Sequence, residues 1–328
     1  MILESTIENL IAQQKQRLSK KDPGLQRELI PATKSLSSHA LVISGVRRCG
    51  KSTLLLQMLK RMDNETVLFL NFDTPQLYEF SLLDFSRLDN IIDKQGATIL
   101  FFDELQLVEG WEMYIRQKLD EGYKVVITGS NASLLSKELG TRLTGRHISQ
   151  ELFPFSYSEF LNFRALTPTK ESLETYVRLG GFPGFLKTED EDQLVTLFED
   201  ILNRDIVARY GIKDVKSLHR LASYLFSNIG NRVTATKLRQ PLSIGATSTI
   251  LSWFSHLELC YLISFLPMFS YSTKAQLINP RKIYAVDLGL VTVISNTFTE
   301  DLGRKLENLV FLHLRKRFDE LYYFDEKG

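Results

Sequence analysis

The sequence predicts an α/β fold: a doubly wound parallel sheet, then a helical appendage, a helical domain closed by a strand pair, and an incomplete C-terminal α/β segment. Three observations predict it. Between Leu41 and Phe155 short apolar runs alternate with stretches whose apolar residues recur at helical spacing, as when strands buried on both faces are covered by helices. After Pro154 helical periodicity takes over. Beyond three further helical stretches comes a strand, turn and strand. The chain has 328 residues, room for about two domains, and its 44% hydrophobic and 24% charged residues are those of a folded chain.

Residues 1–35 read as an N-terminal helical segment. In the core, residues 36–155, the strands are LVIS (41–44), TVLFLNF (66–72), TILFF (98–102), KVVIT (124–128) and the edge run HISQELF (147–153). KSTLLLQMLKRM, SLLDFSRLDNII and WEMYIRQKL are the helices between them. Residues 156–212 hold the helices SYSEFLNF and ESLETYVRL, the breaker Gly180-Gly181-Phe182-Pro183-Gly184 and the long helix DQLVTLFEDILNRDIVARY. In residues 213–290, helices over 217–231 and 235–240 precede a third, SIGATSTILSWFSHLELCYLI, begun by a Ser cap, and a hairpin in ISFLPMFSYSTKAQLINPRKIYAVD. Three helices and a β-hairpin make a winged-helix domain. Residues 291–328 offer an amphipathic helix, RKLENLVFLHLRKRF, and a strand starting at LYYF.

The net charge of +1 hides two unlike regions: residues 61–122 carry 5 basic and 13 acidic side chains, residues 213–285 carry 9 and 2. Cys49 and Cys260 are far apart with no CxxC or Cys/His cluster, which speaks against a disulfide framework or zinc site and for the cytoplasm. Glu4 and Glu8 interrupt the N-terminal apolar run and no stretch is long enough to span a bilayer, so neither secretion nor a membrane partner is expected.

The strongest motif is Gly45-Val46-Arg47-Arg48-Cys49-Gly50-Lys51-Ser52, a full match to G-x-x-x-x-G-K-[ST] between an apolar strand and a helix. Its glycines let the backbone fold N–H groups around phosphates, and the helix N-terminus adds positive potential. Residues 45–53, through Thr53, are the expected nucleotide contacts, with Lys51 on the β and γ phosphates and Ser52 on Mg²⁺. Two strands on, TILFF ends in Asp103-Glu104; neighbours on a strand point to opposite sides, so Asp103 is assigned to Mg²⁺ and Glu104 to polarising the attacking water. The strand between fits the branch of P-loop proteins in which the metal strand does not follow the loop strand directly, and Asn/Thr-Lys-x-Asp is absent, which favours ATP over GTP. In Thr128-Gly129-Ser130-Asn131, Ser130 or Asn131 could orient the water, and Asn71 could hold Glu104 out of action. Of Arg142 and Arg146, the latter, after Gly145, is preferred as an arginine finger, from the same chain or a neighbour in a homo-oligomer.

These motifs in this order resemble a prokaryotic family of AAA+-like P-loop ATPases related to the archaeal ATPase clade. The residues that carry the likeness are GVRRCGKSTLLLQ, ILFFDELQ, ITGSNASLL, LTGR, LFPFSYSEF, LGGFP and DILNRDIV, then HLELCYLI and RKIYAVDLGL in a winged-helix segment and GRKLENLVFLHL at the start of a restriction-endonuclease-like domain. The resemblance covers residues 25–328. It implies ATP and Mg²⁺ binding by Gly50, Lys51, Ser52 and Asp103, with Glu104 as catalytic carboxylate. Only Glu307 of the nuclease-type acidic set is present, so this chain alone is not expected to cut nucleic acid.

In the basic region Lys237, Arg239, Lys274, Arg281 and Lys282 would line helices and wing, a footprint for DNA phosphates, and the third helix starts polar at Ser243, Thr247, Ser248 and Thr249. The function expected is Mg²⁺-dependent ATP hydrolysis coupled to a winged-helix module acting on DNA; the alternative is a nucleotide-gated switch that docks a protein and turns over little, and a small-molecule kinase comes third.

Overall fold

The computed structural model describes residues 1–29, 39–62, 67–131, 143, 145–295 and 301–325. The chain folds as two units, Met1–Gly45 with Gly50–Leu152, and Val46–Cys49 with Phe153–Gly328.

The first unit starts with α1 (Glu4–Lys20), whose Ile7, Leu10 and Ile11 enter the core. Then follow β1 (Ala40–Ser44), α2 (Lys51–Leu59), β2 (Val67–Asn71), α3 (Phe85–Gln95), β3 (Ile99–Asp103), α4 (Trp111–Asp120), β4 (Lys124–Gly129) and β5 (His147–Glu151). The strands form one parallel sheet in the order β2-β3-β4-β1-β5. The apolar runs explain which strands are central: β1 is buried at every position, while the polar HISQE of β5 forms an edge. The other edge, β2, is closed by a side chain, since Gln14 accepts the Asn71 N–H at 2.8 Å and donates to its C=O at 3.1 Å. Gly96, at φ +61°, ends α3 in the left-handed turn that glycine tolerates best. Phe101 and Phe102 are fully buried, and truncating either to alanine would cost about 3–5 kcal/mol.

The second unit continues with α5 (Tyr157–Arg164), α6 (Lys170–Leu179), α7 (Phe185–Thr188) and α8 (Glu191–Asp200), which passes into a π-helix at Ile201–Ala208. Capping boxes at Ser156/Glu159 and Thr169/Ser172 fix the starts of α5 and α6. Next come α9 (Val215–Ser227), β6 (Arg232–Val233), α10 (Ala235–Leu238), α11 (Thr247–Leu259), β7 (Ile263–Leu266), α12 (Thr273–Ile278), β8 (Arg281–Ala285), α13 (Leu288–Ile294) and α14 (Leu302–Arg315). The three strands pair antiparallel in the order β6-β8-β7.

Two local expectations fail here. The third helix of the 213–290 region starts at Thr247 behind Ala246, with no side-chain cap, because Ser243 sits at φ +56° and the Ile244 N–H returns to Arg239 C=O at 2.9 Å, closing α10 instead. LYYF forms no strand: Tyr323 makes an isolated parallel bridge to Met268, and its hydroxyl donates to Pro280 C=O at 2.6 Å. The helix before it is anchored by Asn308, which accepts the Ala285 N–H at 2.8 Å and donates to the Ala285 C=O at 2.9 Å, and by Phe311 stacked on Tyr284.

Candidate functional site

In the parallel sheet every strand runs the same way, so the ends of β1, β2, β3 and β4 meet along one edge, where ligands of such sheets bind. Register places Asn71 beside Asp103, Phe102 beside Ile127 and Ser44 beside Gly129. β4 lies between β1 and β3, as the separated-strand reading requires.

The phosphate loop leaves β1 at Gly45 (φ +145°) and reaches α2 through Arg48 (φ +64°) and Gly50 (φ +107°). Positive φ values of this kind belong to turns that can aim backbone N–H groups at an anion, and at Gly45 and Gly50 they call for glycine. Within the turn the Cys49 N–H donates to Val46 C=O at 3.3 Å. Cys49 and Val46 are buried, Thr53 half-exposed. Arg47 and Arg48, which belong to the second unit, pair there with Asp205 at 3.2 Å and Asp200 at 3.4 Å. Lys51, buried, donates from Nζ to Gly45 C=O at 2.9 Å and so lies folded across the loop.

Asp103 is the hub. Ser52 Oγ and Asn71 Nδ2 each donate to its Oδ2 at 2.8 Å, and Thr128 Oγ1 donates to its Oδ1. The carboxyl is 0% exposed, and burial pushes its pKa above the usual carboxylate value, with the neighbouring Glu104 charge pushing the same way; Thr128, Ser52 and Lys51 pull against them. A cation would relieve that shift, and a hydroxyl beside a carboxylate is an all-oxygen donor pair of the kind a small hard ion takes, so Ser52 and Asp103 fit Mg²⁺.

Glu104 turns the other way, at φ +57° in a left-handed turn, with its N–H directed at Thr128 Oγ1 at 3.3 Å. Its carboxylate accepts from Gln106 Nε2 and from Ser130 Oγ at 3.3 Å. The structure therefore gathers Lys51, Ser52, Asp103, Glu104 and Ser130 along this edge, with Asn131 buried beside them. Asn71 does not restrain Glu104; register hands its amide to Asp103, and Gln106 takes the place expected for it.

Arg146 is elsewhere. His147 pairs with Ala40, at the start of β1, so Arg146 lies about 15 Å, one strand length, from the end that carries the loop. There it forms an ion pair with Asp120. Arg142 lies outside the described residues. Sequence reasoning missed Thr128 and Gln106 as holders of the two acids; a hydroxyl ending a buried strand next to the acidic one was the signal for Thr128.

In the second unit Lys237, Arg239 and Lys274 are exposed, but Lys282 donates to Glu307 at 2.8 Å, as does the Tyr284 hydroxyl at 2.6 Å. That pairing also accounts for the Glu307 carboxylate. Among the described residues no helix is long and apolar enough to cross a membrane.

A family described as an AAA domain matches residues 37–161, and one described as a domain of unknown function matches 170–301. An uncharacterized protein of Methanocaldococcus jannaschii is 31% identical over 99% of this chain and 76% of its own length. An uncharacterized protein of Haemophilus influenzae is 31% identical over 84% of this chain and 74% of its own. Of solved structures, AMPPCP-bound DnaA from Aquifex aeolicus aligns over 69% of this chain and 84% of its own with 15% identity and a TM-score of 0.34. The loop, the buried aspartate and the strand order thus stand in a chain matched nearly end to end; it belongs to the family of these two uncharacterized proteins, and its residues 37–161 match an AAA domain.

Proposed function

We propose that the protein binds Mg·ATP at this edge and hydrolyses it. The observation that carries the reading is the hydrogen-bonded pair Ser52–Asp103, set beside Lys51 at the loop and next to a differently directed Glu104. Mg²⁺, held by Ser52 and Asp103, would neutralise charge on the phosphate oxygens. Lys51 would exchange the Gly45 carbonyl for phosphate, Glu104 would hold a water proton once Gln106 lets go, and Ser130 would orient that water. Lys51→Ala should lose ATP binding, whereas Glu104→Gln should bind ATP and not turn over. Wild-type turnover in Glu104→Gln would remove Glu104 from its role.

We further infer that α9 to β8 form a winged-helix module whose work is driven by the nucleotide cycle. The order of helices and the β6-β8-β7 pairing support this, and exposed Lys237, Arg239 and Lys274 favour DNA as its target. One feature favours the protein-docking switch: the exposed residues of α11, Ser248, Leu251, Ser252 and Ser255, carry no charge. Turnover raised by DNA supports the first reading; DNA-independent turnover with no DNA binding at low salt supports the second. In-trans assistance by Arg146 belongs to the same proposal and requires a homo-oligomer.

A further inference from the structure

Gly50 has a close neighbour from outside the phosphate loop. A Cβ placed on it would lie 3.1 Å from Arg27 Nη1, so the guanidinium packs against the phosphate loop where α2 begins. Arg27 belongs to no helix or strand, yet only 4% of its surface is exposed. Its backbone is fixed by one buried side chain of α2: Gln57 accepts the Arg27 N–H at 3.1 Å and donates to Pro23 C=O and Leu25 C=O, each at 2.7 Å. Within the same run the Gly24 N–H donates to Asp22 at 2.9 Å. From the level of Gln57 the side chain reaches back to Gly50, about 10 Å along the helix axis.

The guanidinium thus stands at the positive end of α2, on the same loop as buried Lys51. A polyanion arriving at this end of the helix would meet both cations, and the planar fork of arginine matches phosphoryl oxygens in pairs. We propose that Arg27 is a second phosphate-contacting cation of the nucleotide site, donating to non-bridging oxygens of the phosphate chain, with Gln57 as its positioning residue. This rests on the nucleotide-binding reading given above.

The test titrates the full chain with a fluorescent ADP analogue and displaces it with ATP or with tripolyphosphate, which has phosphates and no base. Arg27→Met, which keeps the packing and removes the charge, should weaken the analogue and tripolyphosphate alike by about 10- to 100-fold. Arg27→Lys, charged but unforked, should fall between Arg27→Met and wild type, and Gln57→Leu should weaken binding less than Arg27→Met. Wild-type affinity in Arg27→Met overturns the proposal, as does equal weakening in Arg27→Met and Arg27→Lys that follows a lowered unfolding temperature. If Arg27→Met does not fold, Arg27→Lys decides, and unchanged tripolyphosphate affinity there overturns the forked contact. A wild-type chain that binds no probe ends the nucleotide reading and this proposal together, whereas loss in Lys51→Ala with normal binding in Arg27→Met ends this proposal alone.

Discussion

The Asp287 carboxylate receives the Gly181 N–H at 2.6 Å, joining positions 106 residues apart in the chain. The same carboxylate accepts the Leu290 N–H at 3.1 Å and so starts α13. Three glycines make the approach possible: a Cβ on Gly180 would fall 2.3 Å from Asp287 Oδ1, on Gly181 2.3 Å from Phe155 C=O, and on Gly289 2.2 Å from Leu179 C=O. The sequence runs LGGFP and VDLGL are two halves of one clasp.

Gly181→Ala and Gly289→Ala should each destabilise the protein by about 1–3 kcal/mol or more, since the atoms in the way are backbone. Gly184, with open space around it and an ordinary φ of −66°, is the control, and Gly184→Ala should change stability by no more than about 0.5 kcal/mol. Thermal unfolding of the three variants reads this directly.

Burial raises the Asp287 pKa from its ordinary 3.8 to about 6, against the pull of the N–H groups of Gly181, Leu290 and Gly289. Between those values the folded protein holds the proton more tightly than the unfolded chain does. Stability from this group therefore falls as pH rises from about 4 to about 6 and is level above that. Denaturant midpoints of wild type and Asp287→Asn across pH 4–7 should differ in slope within that window, with Asp287→Asn the flatter.

Gln106 holds the Glu104 carboxylate that, on the hydrolytic reading, the attacking water would have to reach. On that reading, Gln106→Leu should raise basal turnover by about two- to tenfold at unchanged ATP affinity. The same substitution on a Glu104→Gln background should do nothing. Steady-state kinetics of the four proteins checks both.

The Arg146–Asp120 pair is partly exposed, with 31% and 62% of the two side chains open to solvent, so Arg146→Ala should cost about 0–1 kcal/mol of stability. An effect of Arg146→Ala on turnover should appear only where turnover per subunit rises with protein concentration. Mixing with Lys51→Ala subunits should then restore activity; a loss that is independent of concentration would place the effect within one chain.

Replacing Lys237 and Arg239 together should flatten the slope of log K against log[salt] for DNA by about two units if both meet phosphates. Lys282→Ala, which removes a partner of Glu307, should leave that slope unchanged. Fluorescence anisotropy over a salt series distinguishes the two.

Much of the first unit was legible because its signals are local. A strand buried on both faces needs an apolar run, and a phosphate loop needs its glycines and lysine within eight positions, so β1 to β4, Lys51, Ser52 and Asp103 could be placed from the chain alone. What escaped depends on register. Asn71 sits beside Asp103 rather than Glu104, and Arg146 lies at the far end of β1, because of strand pairings that no neighbouring residue encodes. The LYYF run has the composition of a strand but, among the described residues, forms a single bridge, Tyr323 to Met268, and composition cannot supply a partner strand.

The π-helix at Ile201–Ala208 sets a spacing, not merely a shape. In its wider winding, residues five apart stack as residues four apart do in an α-helix, which tends to bring Asp200 and Asp205 toward a common side to meet the adjacent Arg48 and Arg47. Tightening the stretch to ordinary winding at unchanged length would turn Asp205 by about 100° relative to Asp200 and separate the two acids. Losing one residue together with that tightening would leave them four apart on one face, so the wide winding acts as a slot that absorbs one extra residue, and the stretch should tolerate a single deletion there better than a single insertion.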